Sequence, residues 1–371
     1  MRPWTAAVLG FIVAVWVYVA FWPTWVEPVA WTPGPNPGWT GGYAGALHVD
    51  DLIPIETGRG PEDVAPGPDG LLYTGLDDGR IVRFRPDGSG LEEVARTAGR
   101  PLGLAFDAGG DLIVAARLDG LLRVTRAGEV SVLTDLADGK PIGFADDLDI
   151  ASDGTIWFSD MTTRYPDDLQ MDFWEGRATG RLLTFDPATG ETVVRADSLH
   201  YPNGVALGPG ERYVLVCETI AARITRVWIT GPRAGERETF LDGLPGYVDN
   251  LSYNDDGLFW VALVGSRSAD YERHASRPRL RRALTRIPRA KIAHPMPWLH
   301  GGSSDWGVIA VDTTGTVRTS LHGPAGTYGA ATSVNQVGSD LFIGSLRMTS
   351  VGRIPLSHMH LAGQPPGDAP Q

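Results

Sequence analysis

Asp147-Leu-Asp-Ile-Ala-Ser-Asp-Gly-Thr-Ile-Trp-Phe-Ser-Asp160 is the stretch on which the architecture turns. An apolar strand start meets an Asp-Gly turn, and a second apolar run follows at once. That pattern reads as two antiparallel strands joined tightly, because glycine admits the turn's positive φ. The unit recurs at Glu62–Gly75, Leu102–Ala115, Asn203–Val216 and Asp249–Ala262, and more weakly at Thr332–Gly344. Third apolar stretches follow each unit, as at Gly120–Thr125 and Gly180–Phe185. Shorter fourth stretches lie at Glu92–Val94, Val130–Leu133, Thr192–Val194, Glu238–Phe240 and Val317–Thr319. Six units of four strands predict an all-β fold, a six-bladed β-propeller. The last unit lacks an outer strand, which residues from about 46 to 55 are expected to supply. The rival readings are a β-sandwich and a propeller without metal.

Outward from the repeats, the ends of the 371-residue chain differ in kind. Trp4–Trp22 is 19 residues without a charge, long enough to span a bilayer as a helix. Arg2 precedes it and acidic residues follow, which favours a cytoplasmic N-terminus and an exported body. A cleaved signal peptide is the rival, although Val19-Ala-Phe-Trp22 is a poor cleavage site. Pro23–Trp39 holds five prolines and reads as an extended stalk or wrap. The expected organisation is a short cytoplasmic end at 1–3, a transmembrane signal anchor at 4–22 and a Pro-rich stalk at 23–45. The propeller follows at 46–356, and a flexible tail at 357–371. Net charge is −12, which disfavours nucleic acid as a partner. The one cysteine, Cys217, lies in an apolar run and reads as a buried small residue.

Four inner-strand starts carry side-chain oxygens at one phase of the repeat: Glu62, Asp146, Asn203 and Asp249, with Asn250 a possible fifth. Brought together by the ring, three carboxylates and an amide suit a hard divalent cation, calcium above zinc or copper. The ion would polarise a carbonyl or P=O oxygen. A neighbouring carboxylate, or water held by the ion, would then assist attack. Asp146 is the first candidate for that catalytic role and Asp249 the second. Asp63 and Asp147 follow two proposed ligands directly. They either bind a second, structural calcium or take backbone N–H groups and arginines. The loops after the second strands of two blades, 161–179 and 264–305, are long and are expected to form a lid over the metal face. Eight arginines lie from Arg267 to Arg289, and Lys291 follows. Arg277–Ala290 reads as a basic amphipathic helix broken by Pro288. A solvated lid, a surface on anionic lipid and a site for anionic substrates all remain open for this basic 267–291 stretch.

Glu175-Gly-Arg-Ala-Thr-Gly-Arg-Leu-Leu183, Tyr201-Pro-Asn-Gly-Val205, Glu218-Thr-Ile-Ala-Ala-Arg-Ile-Thr-Arg226 and Pro245-Gly-Tyr-Val-Asp-Asn250 resemble the strictosidine synthase-like branch of the calcium-dependent six-bladed propeller hydrolases. That wider group includes the paraoxonases, the senescence marker protein and gluconolactonases, and the adipocyte plasma membrane-associated proteins. The resemblance implies Glu62, Asn203 and Asp249 as ligands of a catalytic calcium, with Asn250 as a neighbouring amide ligand. It implies Asp63, Asp147 and the Leu104 carbonyl at a structural calcium. Asp146 stands where those enzymes use asparagine. Leu102 stands where the paraoxonases place a histidine often assigned as base, and Ala331–Asn335 lacks the glutamate of true strictosidine synthase. Together these imply a calcium-dependent hydrolase of esters or lactones, of arylesterase or lactonase type, acting on an apolar substrate at a membrane. A non-catalytic, calcium-stabilised propeller that binds a lipid or protein is the alternative. Condensation of the strictosidine synthase kind ranks below both.

Overall fold

The computed structural model describes residues 3–22, 24, 26–45, 51–286 and 304–358. The tight turns form as their residues dictate. At Ala151–Thr155, Ala151 N donates to the Thr155 carbonyl at 2.9 Å and Gly154 sits at φ +89°. Asp153 Oδ1 accepts from Thr155 N at 2.8 Å, so the aspartate closes the turn that the glycine permits. The strands joined there, Ala145–Ile150 and Ile156–Asp160, form a four-stranded antiparallel sheet with Gly180–Asp186 and Glu191–Leu199.

Five further four-stranded sheets repeat this plan, with inner strands Val64–Pro66, Pro101–Phe106, Pro202–Leu207, Gly246–Tyr253 and Ala331–Val337. The blades are numbered 1 to 6 by these inner strands in chain order. Each inner strand packs on the next and the sixth on the first, so the ring is closed around a central channel. The six-bladed propeller expected from the repeats is the fold. The missing outer strand of blade 6 comes from the N-terminal side: Ile53–Glu56 pairs antiparallel with Ser350–Pro355, Ile53 opposite Arg353 and Glu56 opposite Ser350. Of the span expected to supply it, residues 46–50 lie outside the described residues.

Facing sheets bury their side chains between them. Ile113, Ala115 and Leu121 of blade 2 meet Leu148, Phe158 and Leu183 of blade 3, all at most 5% exposed. Each such large side chain contributes about 1.5–3 kcal/mol. Cys217 is fully buried in the second strand of blade 4, and burial pushes its thiol well above the usual range.

Among the described residues four α-helices stand outside the sheets. α1, Pro3–Phe21, is apolar, with mean hydropathy 2.1, and none of it is buried. Its length and composition suffice to cross a membrane. α2, Leu169–Glu175, lies in the long loop of blade 3; α3, Ala269–Glu272, and α4, Pro278–Leu284, lie in that of blade 5. α4 ends before Pro288, and residues 287–303 of the expected lid and basic stretch lie outside the described residues, as do 359–371 of the tail.

The proline-rich segment is laid on the propeller as a strap. Val26 is buried, Val29 N donates to the Glu175 carbonyl at 2.9 Å, and Trp39 stacks on His322 with ring centroids 4.4 Å apart. Two arginines of the basic stretch hold it down. Arg267 donates to the carbonyls of Gly34 and Pro35 and pairs with Glu272; Arg281 donates to those of Val29, Trp174, Glu175 and Ala275. Both are buried. None of the three uses left open for the stretch, a solvated lid, a lipid surface or an anion site, describes these two: main-chain carbonyls without strand partners recruit guanidinium donors from within the fold. Arg273, Arg277, Arg279 and Arg282 are exposed.

Candidate metal and substrate site

A shared irregularity of the inner strands builds the site. Pairing with the second strand breaks between Pro101 and Leu104, Ala145 and Leu148, Pro202 and Val205, Val248 and Leu251, and Ala331 and Val334. In blade 1 pairing begins only at Val64. Two residues per blade thus escape the ladder at one height: Glu62-Asp63, Leu102-Gly103, Asp146-Asp147, Asn203-Gly204, Asp249-Asn250 and Thr332-Ser333. Such bulges re-aim side chains. Here they send successive residues toward opposite ends of the channel. Two of the second positions are glycines. A Cβ on Gly103 would lie 2.6 Å from Asp147 Cα, and one on Gly204 2.6 Å from Asn250 Cα. Neighbouring inner strands therefore touch backbone to backbone there.

Glu62, Asp146, Asn203 and Asp249 line one cavity of about 870 Å³ together with Leu102. Asp63, Leu104, Asp147 and Asn250 line another of about 270 Å³ at the far end. Asn250, expected beside Asp249 as a fifth ligand, therefore opens on the far cavity. Around the first cavity stand Met161, Asp167, Asp168, Leu169, Gln170 and Phe173 of the blade 3 loop.

All four expected ligands are buried, and Glu62 Oε2, Asp146 Oδ2 and Asn203 Oδ1 have no hydrogen-bond partner. Buried oxygens without donors are costly and call for a cation or ordered water. Burial pushes Glu62 up to about 8 against the pull of Arg100. Burial, then the negative charge of Glu62 and Asp249, drives Asp146 well up; burial and Glu62 do the same to Asp249, with the Asn203 amide pulling the other way. Among the described residues no three acidic, histidine or cysteine side chains converge at ligand distances. The fit to an ion therefore rests on the unpartnered oxygens and their hard, anionic chemistry.

At the far end Asp63 is already served. Its Oδ2 accepts from Leu104 N at 3.0 Å, and its Oδ1 from Val64 N at 2.8 Å and Asn335 Nδ2 at 3.2 Å. Asp147 Oδ2 accepts from Val205 N at 2.8 Å. These are the backbone N–H contacts set against a second calcium in the sequence reading. Leu104 enters through its N–H. Burial still drives both carboxyls up. The Asn250 amide keeps both polar atoms unpartnered.

Three groups on the first cavity were not singled out from the sequence. Arg100 and Arg117 enter its wall, and Tyr201 lies beside Asn203 at φ +65°, a left-handed conformation that bulky residues avoid. Arg100 and Tyr201 share a signal, since each directly precedes a proline that opens an inner strand, Pro101 and Pro202.

Behind the site the long sequence motifs resolve into arginines paired with buried carboxylates. Glu218, fully buried, accepts from Arg223 at 2.8 and 2.9 Å and from His200 N at 2.7 Å. That fixes the turn carrying Tyr201 and Asn203. Glu175 accepts from Arg164 and Arg177 at 2.6 and 2.9 Å, which ties α2 to the loop around it. Asp160 accepts from Arg181 at 2.6 and 2.9 Å and from Phe144 N at 2.8 Å, at the end of the strand beside Asp146.

Comparison with known proteins agrees with this fold. Residues 146–232 match the strictosidine synthase family and residues 46–84 the strictosidine synthase-like N-terminal family. The chain is 33% identical to Protein STRICTOSIDINE SYNTHASE-LIKE 7 of Arabidopsis thaliana over 303 residues, covering 80% of this chain and 79% of that one. It is 32% identical to the adipocyte plasma membrane-associated protein of Homo sapiens over 323 residues, covering 80% and 75%. Among solved structures, a gluconolactonase from Xanthomonas campestris superposes with TM-score 0.59 at 20% identity, covering 90% of this chain and 99% of that one. Regucalcin from Agrobacterium tumefaciens, a calcium-binding protein, gives 0.56 at 16% identity, covering 90% and 97%. At 32–33% identity over about four fifths of its length, the chain belongs to the family of the strictosidine synthase-like and adipocyte plasma membrane-associated proteins.

Proposed function

We propose that this protein is a calcium-dependent hydrolase of esters or lactones, anchored by α1 with its propeller on the extracytoplasmic side. The observation that carries the reading is that Glu62, Asp146, Asn203 and Asp249 line one cavity, the first three each with a buried, unpartnered oxygen. These four would hold the ion. When bound, calcium polarises the scissile carbonyl and stabilises the charge that develops on its oxygen. The chain's own residues do the rest. Asp146 takes the proton from water as it adds to the carbonyl carbon; the C–O bond breaks, and the proton passes to the departing alkoxide, leaving acid and alcohol. Asp146 keeps one buried oxygen without a hydrogen-bond partner to take that proton. Asp249 is the second candidate. Leu102, Phe144, Met161 and Phe173 supply an apolar wall that orients the substrate and excludes water. Asp63, Asp147, Leu104 and Asn250 are proposed to hold a second, structural calcium in the far cavity, Asn250 offering the free oxygen there. The fold shared with a gluconolactonase supports the substrate class at the level of architecture.

The test uses the full-length protein in detergent with a panel of aryl esters and lactones, with calcium, after chelation and after readdition. Turnover that disappears and returns with calcium supports the reading. Stoichiometric calcium binding with no turnover across the panel sinks it and favours a non-catalytic propeller that binds a lipid or protein. Asp146→Asn is expected to lower kcat by roughly 10²–10⁴-fold with calcium still bound, the usual contribution of a positioned base. Unchanged turnover removes Asp146 from that role.

A further inference from the structure

The wall beside the carboxylates carries a contiguous set of arginines. Arg100 Nη2 donates to the Gly60 carbonyl at 3.1 Å and lies 3.5 Å from that of Leu346, so it sits between the residues that adjoin Arg59 and Arg347. Arg117 is close enough to Arg100 for the two charges to oppose each other. Its Nη2 donates to the Pro166 carbonyl at 3.3 Å, and its guanidinium lies over the Phe144 ring at 5.1 Å. All four arginines line the 870 Å³ cavity.

Glu62, Asp77 and Asp146 attract Arg100 through space, but direct ion pairs to the four arginines are few. Of the four, Arg59 alone has an ion pair among the described residues, with Asp77 at 3.1 Å. None of the four pairs with Glu62, Asp146 or Asp249, although these share the cavity. Arg100 and Arg117 spend donors on main-chain carbonyls and keep buried Nε groups unpartnered. Asp167 and Asp168 face the same space from the blade 3 loop. The cavity thus carries carboxylates suited to a cation, arginines suited to an anion and apolar side chains that can take the rest of a substrate.

Resting on the hydrolase reading, we propose that Arg100 and Arg117, with Arg347 and Arg59 at the rim, bind an anionic group of the substrate, a carboxylate or a phosphoryl group. The substrate is then an ester or lactone with a charged end, held so that its carbonyl reaches Asp146. Guanidinium groups in a partly dry wall suit such an anion, and they select against neutral analogues because the site's own donors would stay unpaired.

The experiment compares the phenyl monoester of glutaric acid with phenyl pentanoate, on the full-length protein with calcium. The charged ester should have the higher kcat/KM by roughly tenfold or more, mainly through KM, the effect of one or two charge-assisted hydrogen bonds. Arg117→Gln and the rim variant Arg347→Gln should each lower the ratio of the two kcat/KM values by about tenfold. An equal rate for both esters, or an unchanged ratio in both variants, overturns the proposal. If neither ester turns over, the hydrolase reading has failed but the anion site is still decided by calorimetry with glutarate and phenylphosphonate. Binding of either that weakens about tenfold in both variants upholds the site, and the tighter probe identifies the group. No binding of either, or binding that the variants leave unchanged, overturns it.

Discussion

Single buried charges hold the site's backbone in place. Glu218 is the clearest: burial works to raise its pKa, but the two-pronged Arg223 pair with Thr225 and His200 N holds it below the usual range. Removing the carboxylate leaves donors without an acceptor. Glu218→Ala is expected to cost about 3 kcal/mol, the low end for a buried pair because Arg223 reaches solvent. Urea unfolding measures it, and a loss below about 1 kcal/mol contradicts the assignment. His200 next door is buried, with its ring edge-on to Trp31 at 5.0 Å. Burial lowers its pKa from 6.5 to about 4. The folded state therefore favours the neutral ring. The stability this gives is full above pH 6.5 and is lost as pH falls through about 4. A melting profile between pH 7 and 4.5 should decline, and His200→Phe should flatten it. Identical acid limbs in the two proteins would remove His200 as the cause. At this scale the motifs were visible in the sequence but their purpose was not: Glu175, Glu218 and Arg223 look like ordinary strand-end charges until the fold brings their partners to them.

Among elements, the inner strands were legible where side chains alternate and obscure where they do not. Asp-Gly turns announce each hairpin, and the phase of Glu62, Asp146, Asn203 and Asp249 marks one end of the channel. The bulges are silent, because a break in pairing changes no residue type. They explain why adjacent residues such as Asp249 and Asn250 belong to different cavities. Arg100 and Arg117 were missed for a related reason: they sit in separate stretches and meet only through the ring. The glycines at the bulges carry a direct prediction. Gly204→Ala puts a methyl within 2.6 Å of Asn250 Cα, so blades 4 and 5 must separate. Overpacking of this kind costs about 1–3 kcal/mol. It should weaken calcium binding at the Asn203–Asp249 edge more than elsewhere. Calorimetric calcium titration together with the melting temperature checks it, and wild-type values for both would show that the strands have room to spare.

For the molecule as a whole, everything depends on a single seam. Blade 6 joins three strands from the end of the chain to Ile53–Glu56 from its beginning. That closure was legible, since five blades had four strands and the sixth had three. The course of the strap was not, because prolines state only that a segment is extended and not what it lies on. A chain beginning at Thr57 is expected to lose cooperative unfolding, as blade 6 would end in an open edge. One beginning at Asp51 should keep a single transition at a lower temperature, without the strap contacts of Val26, Trp31 and Trp39. A sharp transition in the shorter chain would show that the ring holds without its seam. The seam also orders events in time. Its first strand leaves the ribosome some 300 residues before the last, and behind a helix able to enter a bilayer. Until Pro355 emerges, a nascent crescent of blades waits with two raw margins. While the chain is incomplete those margins are what a chaperone must shield, and an arrested or truncated chain would present them to its neighbours.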